Sequence, residues 1–163
     1  MRKTTALLGT GALFAATAGL ALPAAADGHE AQLSVLHGIP ADVLGTPDGA
    51  VDVYVNGALT LEDFTTGSLE GPLPLPAGSY DVAVAPPNTS VDDAVLSVDD
   101  LSLAGGTNYT ATANLDKDGA PALNLFTNDT SAAGAGQGKA TVRHIAANAE
   151  GVEVVVNGSI SLG

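Results

Sequence analysis

Three histidines and 18 acidic side chains are the main stock from which this chain of 163 residues could build acid–base or metal chemistry, since it has no cysteine. His37 and His144 stand out because each closes a similar segment: Leu33-Ser34-Val35-Leu36-His37 lines up with Ala140-Thr141-Val142-Arg143-His144. A functional reading makes each a metal ligand or a general acid/base, with Asp42, Asp48 or Asp52 as partner. A structural reading gives the ring nitrogens to loop backbone at a strand end. Inward parity with Val35 and Val142 favours the second, because a buried ring must satisfy its nitrogens locally. His29 stands alone.

Among the carboxylates, Asn114-x-Asp116-x-Asp118-Gly119 matches the first half of an EF-hand loop. Position twelve of that loop falls on Leu125, where a bidentate Glu is required, and no flanking helices are expected, so a polar hairpin turn is the simpler reading. The pairs Asp92-Asp93 and Asp99-Asp100 could add oxygen ligands for calcium, or be solvated acids on loops. No serine sits in a Gly-x-Ser-x-Gly elbow, and with so many acids no carboxylate pair can be singled out for glycosidase work. The sequence therefore assigns no catalytic residue, no cofactor-binding residue and no metal ligand, and a non-enzymatic module is expected.

The elements that must hold these side chains are organised around Val51-Asp52-Val53-Tyr54-Val55-Asn56-Gly57. Its period-two alternation predicts inward Val51, Val53 and Val55 with Asp52 outward, and Asn-Gly marks a tight hairpin turn that returns through Ala58 to Leu61. The stretch recurs as Val152-Glu153-Val154-Val155-Val156-Asn157-Gly158. Further strands are expected at Ala31 to His37, after Gly78 with Tyr80, Val82 and Val84 on one face, and at Ala94 to Val98 with Leu101 to Leu103, interrupted by Asp99-Asp100. Two more follow. Tyr109, Ala111, Ala113 and Leu115 form one face opposite Asn108, Thr110, Thr112 and Asn114, and Leu123 to Phe126 closes the unit. Leu61 to Ser68 shows no clear period. Prolines alternating with leucines from Gly71 to Gly78 suit only an edge strand or an extended connector.

Strands about every ten residues with turn residues between them predict an all-β fold, an Ig-like antiparallel β-sandwich. Leu103-x-x-Gly106-x-x-Tyr109 has the spacing of a tyrosine corner, and Leu75-Pro-Ala-Gly78-x-Tyr80 is a shorter version. The expected organisation is a signal peptide over 1–26, one complete sandwich over 27–127, a flexible linker over 128–138, and the truncated start of a second repeat over 139–163. Two strands cannot bury a core, so the sequence reads as a fragment of a longer tandem protein, or as one whose tail pairs with another copy or with the first unit.

Met1-Arg2-Lys3, an apolar Ala/Leu/Gly run and Ala24-Ala25-Ala26 have the layout of a cleaved secretory signal, which predicts a secreted or cell-surface protein with no membrane span after cleavage. Beyond it, Lys117, Lys139 and Arg143 face all 18 acids. Such a surface repels phosphate backbones, so no nucleic acid is expected as partner; a cell-envelope protein or polysaccharide is. With no tryptophan and three tyrosines, the chain lacks the aromatic platform on which many sugar-binding modules stack their ligand.

The strand-His-loop-Val-Asp-Val-Tyr-Val-Asn-Gly pattern, followed by Leu75-Pro-Ala-Gly78-x-Tyr80-x-Val82-x-Val84 and Leu103-x-x-Gly106-x-x-Tyr109-Thr110, resembles the domain-of-unknown-function family DUF4397. The resemblance covers Gln32 to Phe126 and restarts at Thr141. The family's usual His-x-Ser-Pro-Asp-Ala-Pro loop is here His37-Gly38-Ile39-Pro40-Ala41-Asp42, and His144-Ile145-Ala146-Ala147-Asn148-Ala149 in the second copy. What it implies is an exported Ig-like module, found in tandem repeats, with no established catalytic role. The expected function is that of a cell-envelope spacer or protein-interaction domain, with a carbohydrate- or cell-wall-binding accessory module as the alternative.

Overall fold

A computed structural model describes residues 30–147, 150–151, 154–156 and 160–162. The signal-peptide segment and the Asn157-Gly158 turn lie outside the described residues. Eight strands form two four-stranded sheets: β1 (Ala31–His37), β2 (Val51–Val55), β3 (Ala58–Phe64), β4 (Leu69–Leu75), β5 (Gly78–Ala85), β6 (Leu96–Leu103), β7 (Asn108–Leu115) and β8 (Pro121–Asn128). Sheet one runs β4-β1-β7-β8 and sheet two β3-β2-β5-β6. β9 (Val154–Val156) and β10 (Ile160–Leu162) pair antiparallel as a separate two-stranded sheet.

The two sheets face each other across aliphatic side chains. Val51, Val53, Phe64, Val84 and Leu96 from sheet two meet Val35, Ala113 and Leu123 from sheet one, and Ile39 in the β1–β2 loop is fully buried with them. A second cluster at the other end joins Ala31, Leu33, Tyr109 and Ala111 to Leu103. On one side of the sandwich β6 approaches β8. On the other, between edge strands β3 and β4, lies an aliphatic gap of about 190 Å³ lined by Leu33, Val35, Val53, Val55, Leu61 and Leu73 among others. Its lining is aliphatic apart from Thr60.

The expected all-β sandwich is the fold observed, with one change of direction. β1 pairs β4 antiparallel but runs parallel to β7, from Gln32 opposite Asn108 to His37 opposite Ala113. No tight turn links those two strands. The chain between them passes through sheet two, so nothing local forces the antiparallel arrangement.

Other local readings hold. Asn56 and Gly57 both take positive φ, 51° and 77°, which gives the hairpin turn its hand. The proline-leucine stretch is edge strand β4, hydrogen-bonded to β1 alone. Both tyrosine corners form: the Tyr109 hydroxyl accepts from Ala104 N–H at 3.2 Å, and the Tyr80 hydroxyl donates to the Pro76 carbonyl at 2.7 Å.

Three local readings need correction. The two segments expected on either side of Asp99-Asp100 are the single strand β6, in which a bulge with Asp100 at φ 57° absorbs the acids. The missing period of Leu61 to Ser68 likewise has a local cause: register shifts run along β3 up to Phe64, and Thr65 to Ser68 form the turn into β4. Thirdly, Ala140 to His144 is no strand, unlike its counterpart β1. In the sandwich β1 is held between β4 and β7, and no described strand flanks 140–144 in that way.

Candidate functional site

His37 ends β1 with its ring buried beneath the β1–β2 loop. Its Nδ1 accepts the Ile39 N–H at 3.3 Å and its Nε2 lies 2.7 Å from the Gly49 carbonyl, which fixes the proton on Nε2. The Phe64 ring packs beside it at 5.7 Å between centroids. Burial lowers the imidazole pKa, only partly opposed by the bond to Gly49. Both ring nitrogens are thus engaged by the two ends of one loop.

The three carboxylates proposed as partners for His37 do not reach it. Asp42 and Asp48 are exposed on the loop. Asp52, expected to face outward into solvent, is buried on the outer face of sheet two. Its Oδ1 accepts the Asp63 N–H at 3.0 Å and its Oδ2 the Asn88 N–H at 2.9 Å. The reason is the turn after β5, which folds back over that face. The Tyr54 hydroxyl clamps it by donating to the Thr89 carbonyl at 2.6 Å, and Asp52, Ala83 and Ala85 lie buried on the face it covers.

The EF-hand-like stretch is the β7–β8 turn. Asp116 Oδ1 accepts N–H bonds from Asp118 at 2.8 Å and Ala120 at 2.9 Å, and these two backbone bonds, Ala120's foremost, lower its pKa. Asp93 is likewise occupied, capping Ser90 N–H and Oγ–H, and Asp100 accepts from Ser79 Oγ at 3.2 Å. Among the described residues no group of three or more histidine or acidic side chains is placed to hold a metal ion. His144 is not placed like His37. It is exposed, and its Nε2 lies 3.2 Å from the Glu150 carbonyl.

The feature that sequence reasoning missed lies on the outer face of sheet one. Thr112 and Asn114, on the polar side of β7, are buried there. Asn114 Oδ1 accepts from Thr112 Oγ1 and Asn124 Nδ2, while its Nδ2 donates to the Leu115 and Ile145 carbonyls. Further along, Asn128 Nδ2 donates to Asn108 Oδ1 and Thr110 Oγ1.

The cover over this amide ladder is the segment 139–147, which runs back across the sheet as a strap. Lys139 pairs with Asp129 at 2.7 Å. Arg143 Nη2 donates to Asn128 Oδ1 at 2.8 Å and reaches the Thr127 carbonyl at 3.5 Å, and its guanidinium lies 4.7 Å above the Phe126 ring. Between strap and sheet opens a cleft of about 500 Å³ lined by Asn114, Asp116, Lys117, Asn124, Phe126 and His144 together with strap residues Ile145 to Ala147. Its walls carry amide, carboxylate, ammonium and imidazole groups around one aromatic ring. Arg143 was the available signal, as the one arginine outside the first three residues.

The model of the domain of unknown function DUF4397 matches residues 31–155. The chain belongs to the DUF4397 family. The matched span starts with β1 and continues beyond β8, so this DUF4397 unit takes in the strap as well as the two sheets. No curated protein matches the chain.

Proposed function

We propose that this DUF4397 protein is an exported, non-enzymatic Ig-like module that acts as a spacer or protein-interaction domain at the cell envelope. The observation that carries the reading is the strap. Arg143 and Ile145 fasten the beginning of the repeated sequence to the sheet that precedes it, through a guanidinium–ring contact, an amide bond and the link from Asn114 Nδ2 to the Ile145 carbonyl. A tandem protein joined this way behaves as a stiff rod rather than as beads on a string. Support also comes from the use of the polar side chains: His37, Asp52 and Asp116 spend their bonding capacity on backbone.

The cleft between strap and sheet favours a second reading, a carbohydrate- or cell-wall-binding accessory module. One experiment separates the two. The natural product is isolated from culture fluid and envelope fractions, its intact mass is measured, and it is incubated with purified peptidoglycan and wall polysaccharide. A mass starting near Asp27 with no polysaccharide retention supports the spacer. Retention lost on Asn124→Ala supports the accessory module. A cytoplasmic product with Met1 intact defeats both, and turnover in a glycosidase or esterase screen defeats the non-enzymatic assignment.

A further inference from the structure

The sandwich is closed along one side and open along the other. Where β6 approaches β8 the two sheets meet, but between β3 and β4 the gap of about 190 Å³ runs in from the surface. Leu33, Val35 and Leu73 of sheet one face Val53, Val55 and Leu61 of sheet two across it. The polar exception in the lining is Thr60, whose hydroxyl donates to the Ala58 carbonyl at 3.0 Å. Leu33, Val35, Val53 and Val55 also line a smaller cavity of about 40 Å³ that reaches His37 and Phe64, so the gap leads on into the interior and is no mere surface dent.

Water is a poor occupant of such a site. It needs about two to four polar partners to settle in a cavity, and this lining supplies one hydroxyl that is already bonded. Hydrocarbon meets no such cost, and shape narrows the kind. Facing sheets of a sandwich stand about 10 Å apart and side chains reach in from both, which leaves a slot for a chain of methylenes. An apolar cavity of about 150 Å³ takes up a ligand of about six carbons, so this one has room for about six to eight.

The rim selects the head group. Glu70 stands opposite Val35 in the β1–β4 register, and residues directly opposite in an antiparallel pair share a face of the sheet. The β4 row that walls the gap, Leu75 and Leu73, is therefore continued by the exposed carboxylate of Glu70. The described cations lie at the far side of sheet one: Lys117 on the β7–β8 turn, Lys139 and Arg143 on the strap over β8. With a net charge of −13 and Glu70 at the opening, an anionic head is repelled and a cationic one is drawn in.

We propose that the gap between β3 and β4 binds the alkyl tail of a single-chain cationic amphiphile, with its ammonium group in solvent beside Glu70. The site lies across the sandwich from the strap and its cleft, and is independent of the spacer reading.

The test titrates the natural full-length chain with n-alkylammonium ions from butyl to dodecyl, kept below their micelle concentrations, by isothermal calorimetry, and follows valine and leucine methyl signals by nuclear magnetic resonance. The expected result is one ion per chain, with affinity rising about fourfold for each added methylene and levelling off near octyl, where the gap is full. Methyl shifts are confined to the residues of the gap and of the smaller cavity behind it. Alkanoates of equal length bind more weakly. Glu70→Gln lowers alkylammonium affinity about two- to fivefold, as for an exposed ion pair. Val55→Phe, whose ring takes the space of several methylenes, lowers it about tenfold or more. Should that variant misfold, Leu73→Ala decides the matter: it lengthens the space on an edge strand and moves the plateau to longer chains. Affinity indifferent to chain length marks adsorption to the acidic surface and overturns the proposal. So do methyl shifts elsewhere in the molecule, an affinity that climbs without a plateau, or alkanoates that bind as tightly as the ammonium ions.

Discussion

Replacing Asp52 by alanine tests the least expected feature of the sandwich. The carboxylate is 3% exposed and accepts two backbone N–H groups, from Asp63 in β3 and Asn88 in the turn after β5. Alanine leaves both donors without a partner in sites that are only partly buried, where water can enter and restore part of the loss. Hydrogen bonds to a charged acceptor contribute about 1.5–3 kcal/mol each, so the pair at the low end gives a cost of about 3 kcal/mol. Asparagine retains one acceptor but turns an NH₂ towards the other donor, and recovers less than half of that. Urea denaturation monitored by far-ultraviolet circular dichroism reads the loss as a fall in midpoint at constant slope. In hydrogen exchange the Asp63 and Asn88 amides lose protection first. A midpoint for Asp52→Ala within about 0.5 kcal/mol of the parent refutes the reasoning, because that is the range of an ordinary surface substitution.

Other consequences are as direct. His37 has its pKa lowered by burial, so the unfolded chain binds a proton that the folded one refuses. Stability is complete above the unfolded value near 6.5 and falls as pH drops below it, with a slope of at most about 1.4 kcal/mol per pH unit from this group. Urea midpoints between pH 7.5 and 5 measure it, and His37→Gln flattens that part of the profile. Tyr109→Phe deletes the acceptor for Ala104 N–H and costs about 1 kcal/mol by thermal melting; Tyr80→Phe, whose bond is exposed, costs a few tenths. Arg143→Ala frees the strap: limited proteolysis cuts within 139–147 while the melting temperature of the sandwich stays within about 2 °C.

Most of the architecture was legible because it is written locally. Valine alternation placed β2, Asn-Gly placed its turn, the prolines marked β4 as an edge, and leucine-glycine-tyrosine spacing located both corners. What was not legible depends on segments remote in sequence. Alternation assigned Asp52, Thr112 and Asn114 correctly to the outer faces, but could not reveal that Pro86 to Ser90 covers one face and 139–147 the other. Nor could it give the direction of β1 relative to β7, which no turn dictates. The strand expected at Ala140–His144 from its likeness to Leu33–His37 is absent for a similar reason: a strand needs neighbours, and no described strand flanks this segment. His37 was placed well by parity alone, since an inward ring at a strand end has only loop backbone to bond.

The seat of β1 between β4 and β7 also governs when the fold can form. A chain emerging N-terminus first presents β1 long before either neighbour exists, and its partner in the parallel pair is complete only at Leu115. Sheet two can close earlier, because β2, β3, β5 and β6 follow within one continuous stretch, interrupted only by β4. Non-local pairing of this kind slows folding, since long loops must close before their contacts form. The strand written first is among the last to be seated, and until then sheet one lacks the strand that joins β4 to β7.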